Sequence, residues 1–117
     1  MALHDDGSFA FTLGTPGGDS QPQSLLQITH NMIVFGMTPQ QAIEAPRFRS
    51  MGGVRVALEN RVTDATARGL VDLGHDLNLI DGWTATFGGA QMIVWDEENG
   101  VLTVASDPRR EAYGLAY

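Results

Sequence analysis

The chain has 117 residues, a formal charge of −7 at pH 7 and no cysteine, which predicts a single domain, 1–117, without disulfides, thiolate metal sites or cysteine nucleophiles. All seven basic residues are arginine, and an acidic chain of this kind is poorly suited to bind nucleic acid, because phosphate neutralisation supplies most of that affinity. No apolar run approaches the ~18 residues of a membrane span, so neither nucleic acid nor a membrane is an expected partner.

A strand, a glycine-rich turn and a helix are predicted in succession near the N-terminus. Residues 8–13 are rich in Phe and Thr and alternate loosely, which favours a strand. The turn Gly14-Thr15-Pro16-Gly17-Gly18-Asp19 follows. Either Asp19 or Ser20 can cap a helix, and Pro22 fits the first turn of that helix. Apolar residues at helical spacing follow, and Gly36 ends the predicted helix.

This glycine turn has the sequence features of an oxyanion hole. A strand–turn–helix connection aims consecutive backbone N–H groups at one point near the positive end of the helix. Two adjacent glycines, Gly17 and Gly18, let a reacting carbonyl approach those N–H groups closely. Most Pro-Gly-Gly segments are only tight turns, and no nucleophile elbow of the Gly-x-Ser-x-Gly type surrounds Ser20. The turn therefore predicts a transition-state stabiliser without its own nucleophile.

The remaining elements predict an α+β fold. Helices and strands alternate irregularly, and the C-terminal hairpin signal Asn99-Gly100 favours a mainly antiparallel sheet with helices on one face. Residues 83–87 fit no class, and the tail from Asp107 is a candidate to run along the core. In chain order the predicted elements are a helix over 39–45 capped by Thr38, strands over 47–51 and 54–59, a helix from the cap Thr63 to the stop Gly74, and strands over 76–80, 90–95 and 101–105.

Two arginine pairs, at positions 47/49 and 109/110, leave two interpretations open. A guanidinium group can hold a substrate carboxylate or an interdomain partner. Alternatively, the arginines form local salt bridges, and the candidate acids are Glu44, Asp107 and Glu111. The three histidines lack the spacing of metal ligands, so no metal site is predicted.

Several motifs in order resemble those of the γ-glutamyltranspeptidase family. Residues 14–19 are similar to its glycine-rich segment, and residues 35–48, FGMTPQQAIEAPRF, are similar to a second characteristic stretch. The resemblance extends from about residue 6 to the end of the chain. Further residues in the family's order are Glu59, Gly74-His75, Gly89-Ala90-Gln91 and Ser106-Asp107-Pro108-Arg109.

The resemblance implies an N-terminal-nucleophile hydrolase fold, a four-layer α/β/β/α sandwich, in an enzyme without a metal or organic cofactor. A precursor cleaves itself into a large and a small subunit, and the new N-terminal threonine attacks a γ-glutamyl amide. Carried onto this chain, the oxyanion hole is formed by the N–H groups of Gly17 and Gly18. The candidate substrate-binding residues are their neighbours Thr15, Pro16 and Asp19.

The chain resembles the C-terminal part of the small subunit, so the nucleophile is expected elsewhere and the chain is expected to be inactive alone. Its expected partners are the large subunit, the N-terminal part of the small subunit and a small-molecule amide. The segment 18–23 resembles the branch that includes cephalosporin acylases, so γ-glutamyl amides such as glutathione are the first expectation and glutaryl amides the second. A third interpretation is a non-catalytic binding module whose uncovered sheet forms homo-oligomers.

Overall fold

The structure is a computed structural model that describes residues 1–115. Within this range the chain forms seven strands and three α-helices. Short 3₁₀ turns, Gly18–Ser20 and Ala85–Phe87, precede the first helix and the sixth strand. In chain order the elements are β1 (Ala2–Leu3), β2 (Phe9–Gly14), α1 (Gln21–Ile33), α2 (Pro39–Glu44), β3 (Phe48–Ser50), β4 (Arg55–Glu59), α3 (Asp64–Asp72), β5 (Asp76–Ile80), β6 (Gln91–Asp96) and β7 (Val101–Ser106).

Four strands form an antiparallel sheet in the spatial order β1-β2-β6-β7. Gly14 lies opposite Gln91, and Gln91 lies opposite Ser106 on its other side. The predicted hairpin between β6 and β7 is confirmed, since Gly100 has a φ of 65° and donates its N–H to the Asp96 carbonyl at 2.8 Å. The end of the sheet where β2 and β7 finish therefore carries both the glycine turn and the residues that follow β7.

The core lies between this sheet and the helices α1 and α2. Ile28 and Ile43 of the helices form one buried cluster with Met92 and Ala105 of the sheet. Because successive strand residues point to opposite faces, Ile93 lies on the other face of the sheet, where it is 38% exposed. The predicted α+β fold, with a mainly antiparallel sheet and helices on one face, is confirmed.

A second, three-stranded sheet has the order β3-β4-β5. Strands β3 and β4 are antiparallel, whereas β4 and β5 are parallel because α3 carries the chain back between them. The predicted cap of α3 is confirmed, since the Thr63 hydroxyl accepts the Thr66 N–H at 3.2 Å. The predicted cap of α2 is also confirmed, since Thr38 and Gln41 form a reciprocal capping box.

Two glutamines of α1 attach the second sheet to the helical layer. Gln27 accepts the Phe48 N–H at 3.0 Å and donates to the Phe48 carbonyl at 2.8 Å. Gln23 makes the same pair of bonds with Ser50, at 2.7 and 3.4 Å. Gln23 and Gln27 are four residues apart and lie on one face of the helix, while Phe48 and Ser50 are two apart and point their backbone groups to the same side of the strand. Each glutamine can therefore bind one of the two strand residues. Side-chain amides thus cover the edge of β3.

Three local features differ from the sequence-based expectations. Strand β1 was not expected, because two residues give no readable periodicity. Residues 83–87 form a turn, in which Trp83 has a φ of 65° and the 3₁₀ turn follows. In the tail, Asp107 and Arg109 are buried, but residues 111–115 are exposed and form no helix or strand; residues 116–117 lie outside the described range. Among the helices of residues 1–115, none combines the length and hydrophobicity of a bilayer-spanning segment.

The placement of the core predicts a contrast between two positions on α1. Ile28→Ala is expected to lower the free energy of unfolding by about 2–5 kcal/mol, because it leaves a cavity between the helix and the sheet. Leu26→Ala is the matched control, since Leu26 is 69% exposed, and it should change that free energy by about 0.5 kcal/mol or less. Urea unfolding followed by circular dichroism measures both. Equal effects would contradict this core.

Candidate active site

The glycine turn has a backbone conformation that requires glycine at its centre. Gly17 has a φ of 143° and Gly18 a φ of 53°, and the 3₁₀ turn that starts at Gly18 continues directly into α1. A Cβ atom on Gly17 would collide with the hydroxyl of Ser20. That hydroxyl donates to the Gly17 carbonyl at 2.8 Å, and the Ser20 N–H donates to the same oxygen at 3.1 Å. The Ser20 hydroxyl therefore fills the space on the protein side of the turn.

Two consecutive N–H groups of this turn have no hydrogen-bond acceptor within residues 1–115. Within residues 1–115, neither the N–H of Gly17 nor that of Gly18 donates to a protein acceptor. A Cβ atom on Gly18 would meet nothing within 4 Å, so the space beside this residue is open. Both groups precede the 13-residue helix α1, whose first turn adds positive potential. The turn can therefore bind negative charge on an incoming group.

The predicted neighbours of the glycine pair occupy different environments. Pro16 and Asp19 are exposed, whereas Thr15 is half-buried. The Thr15 hydroxyl accepts the Gly89 N–H and donates to the Pro16 carbonyl, both at 3.0 Å. Ser20 occupies the N-cap position of α1, as predicted, but its side chain makes no capping bond and turns back to the Gly17 carbonyl instead.

A second glycine loop, residues 88–90, lies behind the first. Its Ala90 N–H donates to the Asp107 carboxylate at 2.9 Å, and the Asp107 N–H donates to the Ala90 carbonyl at 3.0 Å. Immediately before this loop, the Phe87 carbonyl accepts the Ser24 hydroxyl at 3.1 Å and the Arg47 guanidinium at 2.9 Å. The second loop is thus fixed to α1, to the end of β7 and to a buried arginine.

Asp107 belongs to a buried ion cluster of five side chains. Arg47 and Arg109 contact its carboxylate at 2.7 and 3.1 Å. Glu59 contacts Arg109 and Arg61, each at 2.6 Å. Four of the five side chains are at most 1% exposed, and Arg61 is 23% exposed. Three guanidinium groups face two carboxylates, so the cluster holds one positive charge in excess.

The arginines also bind the carbonyl groups at the end of α2. Arg47 and Arg109 both donate to the Ile43 carbonyl, at 2.8 and 2.9 Å. Arg61 donates to the Glu44 carbonyl at 2.9 Å. The last carbonyls of a helix lack partners within the helix and carry its negative end, so cations stabilise them. The cluster therefore connects α2 with β4 and the residues after β7.

The cluster shifts the pKa values of its members in opposite directions. Burial alone would raise the pKa of Glu59 and of Asp107. At Glu59 the hydrogen bond and charge of Arg109 outweigh burial and keep the pKa below its ordinary value. At Asp107 the Ala90 N–H and the charge of Arg47 do the same. Burial and the charge of Arg109 lower the pKa of Arg47. Burial alone would also lower the pKa of Arg109, but its bonds to the carboxylates raise it above the ordinary value.

These contacts decide between the two interpretations for one member of each arginine pair, Arg47 and Arg109. Arg47 and Arg109 form internal salt bridges and are too buried to hold a substrate carboxylate. Asp107 is one of the predicted acids, but within residues 1–115 neither Glu44 nor Glu111 pairs with them. The second acid, Glu59, was not predicted as a partner. The sequence feature that could have indicated it is a lone carboxylate at the end of the mainly apolar strand β4.

Other candidate features lie away from the glycine turn. An open groove of about 490 Å³ lies toward the C-terminal end of α1, where Met32 and Ile33 face Phe11 and Val94, and its walls are mainly apolar. Within the described part of the chain, no cluster of His, Asp and Glu side chains could hold a metal ion. The unpartnered N–H groups therefore remain the main chemical feature of residues 1–115.

The comparisons with known proteins agree with this fold. The profile described as "Gamma-glutamyltranspeptidase" matches residues 1–117. The "Glutathione hydrolase-like YwrD proenzyme" of Bacillus subtilis (strain 168) is 42% identical over 103 residues, which are 82% of this chain and 19% of that protein. Gamma-glutamyltranspeptidase from Pseudomonas nitroreducens, solved with L-DON, has a TM-score of 0.85 and 25% identity over 100% of this chain and 60% of that chain. Cephalosporin acylase from Bacillus halodurans has a TM-score of 0.77 and 36% identity over 83% of this chain and 18% of that chain.

The fold and these matches define the class of structure as the N-terminal-nucleophile hydrolase fold. Within that class the chain belongs to the γ-glutamyltranspeptidase family. It spans 13% to 20% of the length of the curated relatives that it matches and 60% of the P. nitroreducens chain.

The ion cluster predicts a large effect of removing one charge. Asp107→Asn is expected to lower the free energy of unfolding by about 3–5 kcal/mol, because it leaves Arg47 buried without its counter-charge. Asp64→Asn is the matched control, because the Asp64–Arg68 pair is exposed and 3.6 Å apart, and it should be nearly neutral. Urea unfolding measures both. Similar effects of the two substitutions would mean that the cluster is solvated.

The cluster also predicts how stability depends on pH. Glu59 and Asp107 have folded-state pKa values below their ordinary values of 4.5 and 3.8, so the unfolded chain binds more protons at low pH. Their stabilisation is present above about pH 5 and is lost as the pH falls through the folded-state pKa values. Urea unfolding between about pH 7 and pH 3 measures the slope. A free energy of unfolding that stays constant or rises on acidification would contradict the cluster.

Proposed function

We propose that this chain supplies the oxyanion hole of a γ-glutamyltranspeptidase-like amidohydrolase or acyltransferase that acts on γ-glutamyl amides such as glutathione. The proposal rests on the N–H groups of Gly17 and Gly18, which have no acceptor within residues 1–115 and lie beside open space at the start of α1. Membership of the family supplies the reaction class.

In this reaction the nucleophile is a threonine outside the chain. Its hydroxyl oxygen forms a bond to the amide carbon while the carbonyl electron pair moves to the oxygen, and the hydroxyl proton passes to the threonine's own amine. The N–H groups of Gly17 and Gly18 receive the new negative charge. Collapse of the intermediate expels the amine, which takes the proton, and water or an acceptor amine then removes the acyl group. Loss of one such donor typically costs about 10²–10³ in kcat.

The residues beside the glycine pair border the substrate in this proposal. Pro16 and Asp19 are exposed on either side of it, and the Asp19 carboxylate is complementary to the ammonium group of a γ-glutamyl substrate. Thr15 completes the turn from its half-buried position. A second candidate function is hydrolysis of glutaryl amides, which is favoured by the 36% identity to the B. halodurans cephalosporin acylase.

The proposed enzyme needs partners that cover the outer face of the four-stranded sheet. On this face Ile93, Trp95 and Leu102 are 38%, 37% and 56% exposed. The remainder of a small subunit and a large subunit would supply the cover and the nucleophile, since the matched relatives are longer than this chain. A non-catalytic, self-associating module is the alternative; sedimentation of a stable oligomer, together with an inactive hybrid in the experiment below, would favour it.

The test compares the chain alone with a hybrid, defined as the B. subtilis relative in which this chain replaces the matched segment. The chain alone should release no chromophore from a γ-glutamyl anilide, because it lacks the threonine. The hybrid should release it, and the ratio of γ-glutamyl to glutaryl anilide turnover distinguishes the two candidate substrates. Turnover by the purified chain alone would contradict the missing nucleophile, and an inactive, folded hybrid would contradict the proposed function.

The contribution of the glycine pair is tested by Gly18→Ala in the hybrid. The added methyl group enters the open space where the substrate carbonyl must approach, so kcat/KM should fall by about 10²-fold or more. Gly53→Ala is the matched control, because Gly53 has a φ of 59° against 53° for Gly18 and also has open space around it. The two variants should unfold at similar urea concentrations. Equal activities would argue against an oxyanion hole at Gly18.

A further inference from the structure

We propose that the hydroxyl groups of Thr15 and Ser20 are positioning groups that aim the two oxyanion-hole N–H groups. The inference rests on the proposed function and assigns its preorganisation to two side chains. Thr15 is a candidate substrate-binding residue and Ser20 a candidate cap of α1, and the hydroxyl of each is bound to a carbonyl of the glycine turn.

The peptide group explains how a hydroxyl can direct an N–H that it does not touch. A trans peptide is planar, and its C=O and N–H point in opposite directions. The Pro16 carbonyl and the Gly17 N–H belong to one peptide group, and the Gly17 carbonyl and the Gly18 N–H belong to the next. Holding a carbonyl oxygen from one side therefore turns the N–H of the same peptide group toward the other side.

Each of the two carbonyls is held by one hydroxyl. Thr15 donates to the Pro16 carbonyl at 3.0 Å, and Ser20 donates to the Gly17 carbonyl at 2.8 Å. Ser20 is 1% exposed and Thr15 is half-buried, so both hydroxyls lie on the protein side of the turn. Gly17 and Gly18 keep their N–H groups without an acceptor in residues 1–115. The donors are thus oriented before a substrate arrives.

The Thr15 hydroxyl is itself fixed by the second glycine loop. It accepts the Gly89 N–H at 3.0 Å, so its own proton is directed to the Pro16 carbonyl. Gly88 approaches closely enough that a Cβ atom there, at a φ of 95°, would strike the Thr15 hydroxyl and lie 3.0 Å from the Pro16 carbonyl oxygen. Through Ala90 the loop is bound to Asp107. The direction of the Gly17 N–H is therefore fixed, through the second glycine loop, by the buried ion cluster.

A positioning role and a substrate-binding role predict different kinetics. Donors that meet charge only in the transition state raise kcat, whereas ground-state contacts lower KM. In the hybrid, Thr15→Val and Ser20→Ala should each lower kcat about tenfold to a hundredfold with KM within about twofold of the parent value. The affinity for a phosphonate analogue of the tetrahedral intermediate should fall by the same factor as kcat/KM.

Two further variants separate positioning from general damage. Thr15→Ser keeps the hydroxyl and should restore most of kcat. Thr66→Val makes the same hydroxyl-to-methyl change at an exposed threonine of α3 whose hydroxyl also has a partner, and it should leave kcat unchanged. A raised KM with an unchanged kcat in Thr15→Val would overturn the inference for Thr15 in favour of substrate binding. An unchanged kcat in Ser20→Ala would overturn it for Ser20.

An inactive hybrid would count against the proposed function but would not test the positioning of the N–H groups. A measurement on the 117-residue chain tests that positioning directly. In ¹H–¹⁵N spectra, Thr15→Val should shift the amide signal of Gly17, and Ser20→Ala should shift that of Gly18, more than other signals of the turn. Thr66→Val should shift neither. Glycine signals that stay in place in the first two variants would overturn the inference without reference to activity.

Discussion

The arrangement of the glycine turn depends on the buried carboxylate of Asp107. This side chain binds Arg47 and Arg109 and also accepts the Ala90 N–H, so it joins the end of β7 to the loop behind the turn. The desolvation of such a group is offset only when its partners are placed well. A displaced loop would leave the carboxylate incompletely bonded. The main effect of the cluster is therefore to fix the position of the second glycine loop, and its net contribution to the free energy of unfolding is smaller.

Stability and function depend on different contacts around the turn. The hydroxyl bonds of Thr15 and Ser20 each contribute on the order of 1 kcal/mol to folding, which is small beside the burial of Ile28. In the proposed enzyme their larger effect is on the direction of the N–H groups, because a preorganised donor stabilises an oxyanion without reorganisation during the reaction. The protein can therefore keep its fold while the aim of its N–H groups is lost.

Local signals in the sequence predicted much of the fold and the position of the glycine turn between β2 and α1. The Thr38 cap, the Asn99-Gly100 hairpin and the glycine pair each depend on a few neighbouring residues, and the structure places all three as expected. The ion cluster could not be predicted in this way, because Glu59 and Arg109 are 50 residues apart. The bond from the Ser20 hydroxyl to the Gly17 carbonyl was also not predicted, since a serine before a helix normally indicates a cap.

A structure of the hybrid with a phosphonate analogue bound at the active-site threonine would show directly which groups bind the oxyanion. We expect one phosphonyl oxygen within about 2.7–3.1 Å of the backbone nitrogens of both Gly17 and Gly18. We also expect the Thr15 and Ser20 hydroxyls to bind the carbonyls on the opposite side. An oxygen bound by other donors, with the glycine N–H groups turned away, would contradict the assignment of the oxyanion hole.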